Sequence, residues 1–411
     1  MALADVTDWI DEFGRPGFLW YVKRLSSNDT GANGTHQGGP YIPKDLAFKL
    51  LPGLDGPTDD NRDVRLDIFI DSHPEVRNIR VVWYNGKFRG ATRDEVRMTQ
   101  FGGRSSPLLD FDNTGALAVF AFEVDENGHA RSCHIWVCGG DGTEADLFEE
   151  RLGPVEPKQH IVWTPGDLLP SMDLFAEAAS GRSSCRLPTS QIPAEWFSKF
   201  PTGEEIIRRT IEKRPLATAN VDVRLMARRK CEYEMFLGVE EAVFLPRITE
   251  GFTSIDGFLS LAQTVLQSRK SRSGRSLELH IREILKEEGL VAGADFSHNP
   301  TIDANSKPDF LFPSDADYRN PAFPEAKLRM LAAKTTCKDR WRQVTKEASR
   351  VREKHLLTLQ EGVSENQFQE MREAGVNLVV PVSLHSAYHE NIRPHLISFE
   401  SFVADIRHLK L

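Results

Sequence analysis

The chain loses its strand-like hydrophobic period past about residue 150, and that change limits what it can fold into. Up to about residue 150 the apolar residues come in short β-branched and aromatic runs: FLWYVKRL, VRLDIFI, IRVVWYN, ALAVFAFEV and CHIWVC. Gly, Asn and Asp clusters part them, as a barrel or sandwich of short strands requires. From Gly153 to about Pro193 prolines and glycines recur (GPVEP, TPGDLLP, ASGRSSCRLP) and the period is lost, which predicts a linker or long crossing connection. Beyond it, GEEIIRRTIEK, VRLMARRKCEYEMFLGVEEAVFL and GRSLELHIREILKEEG space apolar residues by three and four, as helices do. Strand-like PDFLFP, RMLAAKTT, HLLTLQEG and NLVVPVSL then alternate with helical stretches, one from about Arg340 and one opening at Ser364 with Gln367 in a capping box. That alternation predicts a mixed sheet flanked by helices. A chain of 411 residues also exceeds one small core. The expected organisation is a β-rich domain over residues 1–155, a linker over 156–193 and an α/β domain over 194–411.

Composition narrows the function. The net charge of −9 argues against indiscriminate coating of nucleic acid, although local basic runs leave sequence-specific binding open. Three such runs stand in the C-terminal half: Arg228-Arg229-Lys230, Ser268 to Arg275, and Lys338 to Arg342. Each is equally readable as a solvated helix face. The five cysteines are scattered, and neither a disulfide framework nor a zinc spacing can be built from them, so a reducing cytoplasm is expected. No apolar run approaches a membrane span. No Walker loop and no GxGxxG after a strand is present, which argues against nucleotide-driven chemistry.

One charge placement asks for an explanation. In LAAKTTCKDRWRQ a lysine, Lys334, ends what should be a buried strand, and Lys338-Asp339-Arg340 follows at once. Asp309 opens the preceding strand, Glu347 lies on the expected following helix, and Glu278 sits in the apolar helix SLELHIREIL. Buried charges need partners. Two carboxylates converging on a divalent cation beside a lysine satisfy all of them, and this is the equipment for phosphodiester hydrolysis. Mg²⁺ takes one or two carboxylates, water and a phosphate oxygen. A bound metal acidifies water, and a lysine stabilises charge developing on phosphorus. The plain alternative is coincidence, with Glu347 facing water and Glu278 paired to Arg282 one turn along its helix.

The stretches SLELH, KPDFLFPS and LAAKTTCKDRWRQ together resemble the catalytic domain of EcoRII-type restriction endonucleases. KRLSSNDTGANGTHQGGPYIPK resembles the effector-binding domain of the same family, and NTGAL, FPTGEEII, TLQEGVS and MREAGVNLVVP carry the likeness along nearly the whole chain. The resemblance implies an N-terminal DNA-binding pseudobarrel and a C-terminal PD-(D/E)xK nuclease domain of α/β/α layering. Asp309, Lys334 and Glu347 would be the catalytic set, Glu278 a supporting acid, and Asp309 and Glu347 the carboxylates for Mg²⁺. Ala332 stands where the general nuclease pattern has an acidic residue, and Glu347 would supply that carboxylate instead.

Further roles follow from the same resemblance. Lys338, Asp339 and Arg340 would read the outer G·C pairs, a role their donors and acceptor suit. Arg229 and Tyr233, one turn apart on a helix, would sandwich an extruded central base. In the N-terminal domain His36, Tyr41, Arg93, Glu95 and Arg97 would contact effector DNA; Ala91 and Val96 replace lysines there. The implied protein is a homodimeric Type IIE endonuclease that cuts 5′-CCWGG before the first C and binds two or more copies of double-stranded DNA. It would be autoinhibited by its N-terminal domain and accompanied in its system by a cytosine methyltransferase, with no direct contact implied. A non-catalytic DNA-binding protein and a structure-specific nuclease are the alternatives.

Overall fold

The computed structural model describes residues 3–34, 38–57, 60–139, 142–165, 171–172, 185–217, 219–302, 306–338 and 340–409. It divides into two compact units. One comprises Met1–Gly181 with Gln360–Phe368 and Ser386–Arg393; the other comprises Arg182–Leu359, Gln369–His385 and Pro394–Leu411.

The first unit is built on a curled nine-stranded sheet. Its strands are β1 (Phe18–Arg24), β2 (Tyr41–Ile42), β3 (Arg62–Ile70), β4 (Glu75–Tyr84), β5 (Glu95–Thr99), β6 (Leu117–Val124), β7 (Ala130–Val137), β8 (His160–Trp163) and β9 (Ser171–Met172). The order is β2-β5-β4-β3-β7-β6-β1-β8-β9, antiparallel except where β3 meets β7. Side chains alternate between faces, and here both faces are apolar. Leu19, Tyr21, Phe120, Phe122 and Ile135 enter one core. Trp20, Val22, Val119, Ala121 and Trp136 enter another, with residues of α1 (Leu3–Phe13) and α2 (Thr143–Leu152). Covering of both faces explains why β1 and β6 read as continuous apolar runs, whereas β3 and β4 alternate buried and exposed residues at their starts. The strand β8 pairs with β1, so the sheet reaches into the stretch expected to be a linker. That expectation failed because HIVW is a short run hidden between prolines.

In the second unit a five-stranded sheet has the order β10-β11-β12-β13-β14. These are Ser297–His298, Phe310–Phe312, Arg329–Lys334, Lys354–Thr358 and Val376–Val379. The first three pair antiparallel and the last three parallel, giving the expected mixed sheet. Around it stand α3 (Gly203–Lys213), α4 (Val221–Glu250), α5 (Ile255–Glu287), the short α6 (Trp341–Val344) and α7 (Phe399–Leu409). In the segment Gln360–Phe368 of the first unit, Ser364 Oγ accepts from Gln367 N at 3.1 Å, the expected cap of the helix Glu365–Glu373.

Two expectations are corrected here. The basic runs on α4 and α5 are not mainly solvated faces: Arg228, Arg229, Arg269 and Arg272 are buried. Arg269 makes a two-pronged pair with Glu240 at 2.8 Å on both prongs, Arg272 reaches Glu232, and Arg228 reaches Glu287. The acidic partners of Arg228, Arg269 and Arg272 lie far away in sequence, so charge runs alone could not reveal them. Cys185 and Cys231 are joined as a disulfide across 46 positions, because α4 carries Cys231 to the chain entering this unit. Cys133, Cys138 and Cys337 are buried and take no part in a disulfide.

A buried ion pair that loses one member leaves the other charge stranded. Glu240→Ala should therefore lower unfolding free energy by about 3 kcal/mol in urea titration. An unchanged midpoint and slope would show that Arg269 is adequately hydrated without its partner.

Candidate active site

Asp309 sits immediately before β11, and β12 runs beside that strand with Phe310 opposite Leu331. This register lets one carboxylate oxygen of Asp309 accept from the backbone N–H of Ala333 at 2.7 Å and from Lys334 Nζ at 2.9 Å. The apolar run before Lys334 keeps it there: Met330, Leu331, Ala332 and Ala333 are buried, while Lys334 is half-buried at the strand's end. Burial pushes the Asp309 carboxyl above its ordinary value; Lys334 pulls it down and the charge of Glu278 pushes it up.

Glu278 projects from α5 and accepts from Asn299 Nδ2 at 3.2 Å, with His298 Nε2 at 3.6 Å. Burial raises its carboxyl, but the His298 and Asn299 hydrogen bonds and the Lys334 charge outweigh it, so Glu278 stays below the usual range. Arg282, the plain alternative partner, pairs instead with Glu204 and Glu283. Glu347 is not on a helix. The helix α6 ends at Val344, two tightened turn bonds follow, and Glu347 lies in the turn beyond. The correction has a local cause, because Ala348 takes a left-handed φ of 46° that no helix continues through. Burial and then the charge of Asp309 push the Glu347 carboxyl up to about 7, against the pull of Lys334 and Lys354.

Asp309 and Lys334 are therefore in contact, and the charges of Glu278 and Glu347 act on the same pair. Both Asp309 and Glu347 resist ionising, and Glu347 Oε2 is buried without a hydrogen-bond partner. A divalent cation would supply the missing counter-charge and occupy that oxygen, so the donor set fits one. Among the described residues no group of three or more His, Cys, Asp or Glu forms a cage. Magnesium does not require one, since it keeps waters and binds through one or two carboxylates plus substrate phosphate.

Comparison with known proteins gives this geometry its context. The family model described as restriction endonuclease EcoRII, N-terminal, matches residues 14–167, and that described as EcoRII C terminal matches residues 236–403. The Type II restriction enzyme EcoRII of Escherichia coli is 40% identical over 409 residues, 99% of this chain and 98% of the relative. The chain belongs to the EcoRII family of Type II restriction enzymes. It is accordingly a site-specific deoxyribonuclease. Solved structures of metal-depleted Ecl18kI, one with uncleaved, modified DNA and one with uncleaved DNA, are also similar to parts of it. They are 21% and 22% identical with TM-scores of 0.42 and 0.41, covering 56% and 54% of this chain and 85% and 83% of theirs.

The other residues singled out from the EcoRII resemblance fall as follows. Lys338 and Arg340 lie just past β12, Arg340 exposed and Lys338 half-buried, and Asp339 lies outside the described residues. Arg229 is drawn inward to Ser276 and Glu232. Tyr233 on the same helix has the Arg272 guanidinium 4.9 Å from its ring centre. In the first unit His36 lies outside the described residues, while Tyr41 on β2 pairs with Arg97 on β5. Arg93 and Arg97 both hold Glu95, at 2.5 and 3.1 Å. Burial raises the Glu95 carboxyl and the two arginines more than offset it, leaving it below its ordinary value. Tyr41, Glu95 and Arg97 line a cavity of about 500 Å³ together with Lys23 and Tyr21.

Sequence reasoning missed His298 and Asn299, the partners of Glu278. Asn299 adopts a left-handed φ of 52°, and the Asn-Pro pair at 299–300 was the available turn signal. A carboxyl whose folded pKa is raised contributes stability below its unfolded value, and that contribution is lost as pH rises through the folded one. For Glu347 the window runs from 4.5 to about 7. In metal-free buffer the urea midpoint should fall across this window more steeply for the unaltered chain than for Glu347→Gln. Parallel curves would show that this carboxyl ionises normally.

Proposed function

We propose that the chain is a Type IIE endonuclease that hydrolyses both strands of DNA with Mg²⁺, held by Asp309 and Glu347. The observation that carries this reading is the shared charge deficit of the two carboxylates around Lys334. When bound, the metal lowers the pKa of a water and neutralises charge on the phosphate. The chain's own groups do the rest. Lys334, fixed by Asp309, places a positive charge at the end of β12, where it can orient the attacking water and stabilise the developing phosphorane. Glu278, kept ionised by hydrogen bonds from His298 and Asn299 and by the Lys334 charge, contributes a further negative charge beside Lys334. Asp309 is fixed in place by the Ala333 amide, so the site is ordered before substrate arrives.

The finer assignments belong to the same proposal. The target is 5′-CCWGG, cut before the first C, with Lys338, Asp339 and Arg340 reading its outer pairs. Arg229 and Tyr233 stack on an extruded central base, for which buried Arg229 would have to turn out from Ser276 and Glu232. Effector DNA is taken by His36, Tyr41, Arg93, Glu95 and Arg97, and the N-terminal domain restrains cutting until it is filled. The protein acts as a cytoplasmic homodimer beside a cytosine methyltransferase. The complete acid–lysine–acid set speaks against a binding protein that has lost cleavage.

Digestion of a plasmid of known sequence with Mg²⁺, followed by mapping of the ends, tests the reading. Cuts should fall before the first C of CCWGG. Asp309→Asn and Lys334→Met should each reduce the rate by at least about a thousandfold, on the order of 4 kcal/mol of transition-state stabilisation. Removal of residues 1 to about 180 should quicken cutting of single-site DNA. Ends elsewhere would refute the site, full activity of either variant the catalytic assignment, and an unaltered single-site rate the restraint.

A further inference from the structure

The turn that carries Glu347 has little structure of its own. The helix α6 is only four residues long, and past it the backbone is held by Lys346 N to Gln343 O and Glu347 N to Val344 O, both at 3.1 Å. Ala348 then reverses the chain at positive φ. Something else must fix the direction in which the carboxylate points.

Two side chains do so from outside the turn. Lys354, the first residue of β13, is buried, and its ammonium donates to Glu347 O at 2.6 Å, Val351 O at 3.0 Å and Ala348 O at 3.2 Å. An ammonium has three donors, and here each meets a carbonyl. The lysine is itself anchored in the sheet, opposite Met330 of β12 and Val376 of β14, with its N–H on Gly375 O at 2.9 Å. Ser306 Oγ meanwhile accepts from Ala348 N at 3.1 Å. A buried ammonium is costly unless its donors are used, so the carbonyls of the turn and the lysine hold each other in place.

We propose that Lys354, assisted by Ser306, is a positioning residue that presets the Glu347 carboxylate for cation binding. It touches no reacting atom; it acts by clamping the backbone on which Glu347 stands. This rests on the reading of Glu347 as a cation-holding carboxylate.

The test uses the full chain bound to a duplex that the unaltered protein cuts. Ca²⁺ affinity is measured by calorimetry, Mg²⁺ half-saturation from cutting rates, and duplex affinity without metal by gel shift. Lys354→Met should weaken Ca²⁺ binding and raise the Mg²⁺ requirement by about ten- to a hundredfold, the usual effect of losing support behind a ligand. Duplex affinity without metal should be unchanged. Glu347→Gln, run in parallel, should lose Ca²⁺ affinity at least as strongly. If Glu347→Gln weakens binding while Lys354→Met does not, the clamp is refuted and the reading of Glu347 stands. If Glu347→Gln binds Ca²⁺ as the unaltered chain does, that reading falls and the clamp with it. Should Lys354→Met fail to fold, Ser306→Ala decides: a several-fold weaker Ca²⁺ affinity supports the clamp, and no change overturns it.

Discussion

A single carboxylate oxygen of Asp309, held between the Ala333 amide and the Lys334 ammonium, organises everything around the candidate site. The contact fixes the end of β12 against the start of β11 and puts a cation where an apolar strand would otherwise simply stop. It also leaves the electrostatics unfinished. Lys334 acts on three carboxylates, and two of them are pushed toward protonation by burial first, Asp309 further by the charge of Glu278 and Glu347 further by that of Asp309. On the proposed reading, a divalent ion and then a substrate phosphate would complete the charge balance here.

Elsewhere the chain completes its charge balance internally. Between α4 and α5 the arginines that looked like a nucleic-acid footprint are matched by Glu232, Glu240 and Glu287, several of them in buried pairs. These pairs make the helix packing specific, because any slip strands a charge in a dry interior. Arg340 and Lys230, by contrast, are exposed to solvent, Lys230 with Glu234 one turn along its helix. Burial and partners therefore distinguish structural charge from surface charge more clearly than a count of lysines and arginines does.

Much of this was legible in the sequence, and the reasons differ by element. Strands β11 to β14 announced themselves because buried parallel and mixed strands need uninterrupted apolar runs, and a lysine closing such a run stands out. Asp309 and Lys334 were readable for that reason. The position of Glu347 was not: WRQVTKEASR has helix-forming composition, yet Lys354 takes carbonyls that a continuing helix would have used. A lysine at a strand's first residue reads as exposed, so nothing in the sequence marked it as buried. The Arg–Glu pairs and the Cys185–Cys231 link join positions far apart, and no local pattern encodes such meetings. The strand β8 was lost among prolines for the opposite reason, since a strong breaker signal hid a weak strand.

The most direct test is anomalous diffraction from crystals of the protein with an uncleaved duplex, soaked in Mn²⁺ as a visible substitute for Mg²⁺. The account predicts a manganese peak within about 2.2 Å of carboxylate oxygens from both Asp309 and Glu347, sharing a phosphate oxygen of the DNA. Manganese bound away from these two side chains, or held by neither, would contradict it.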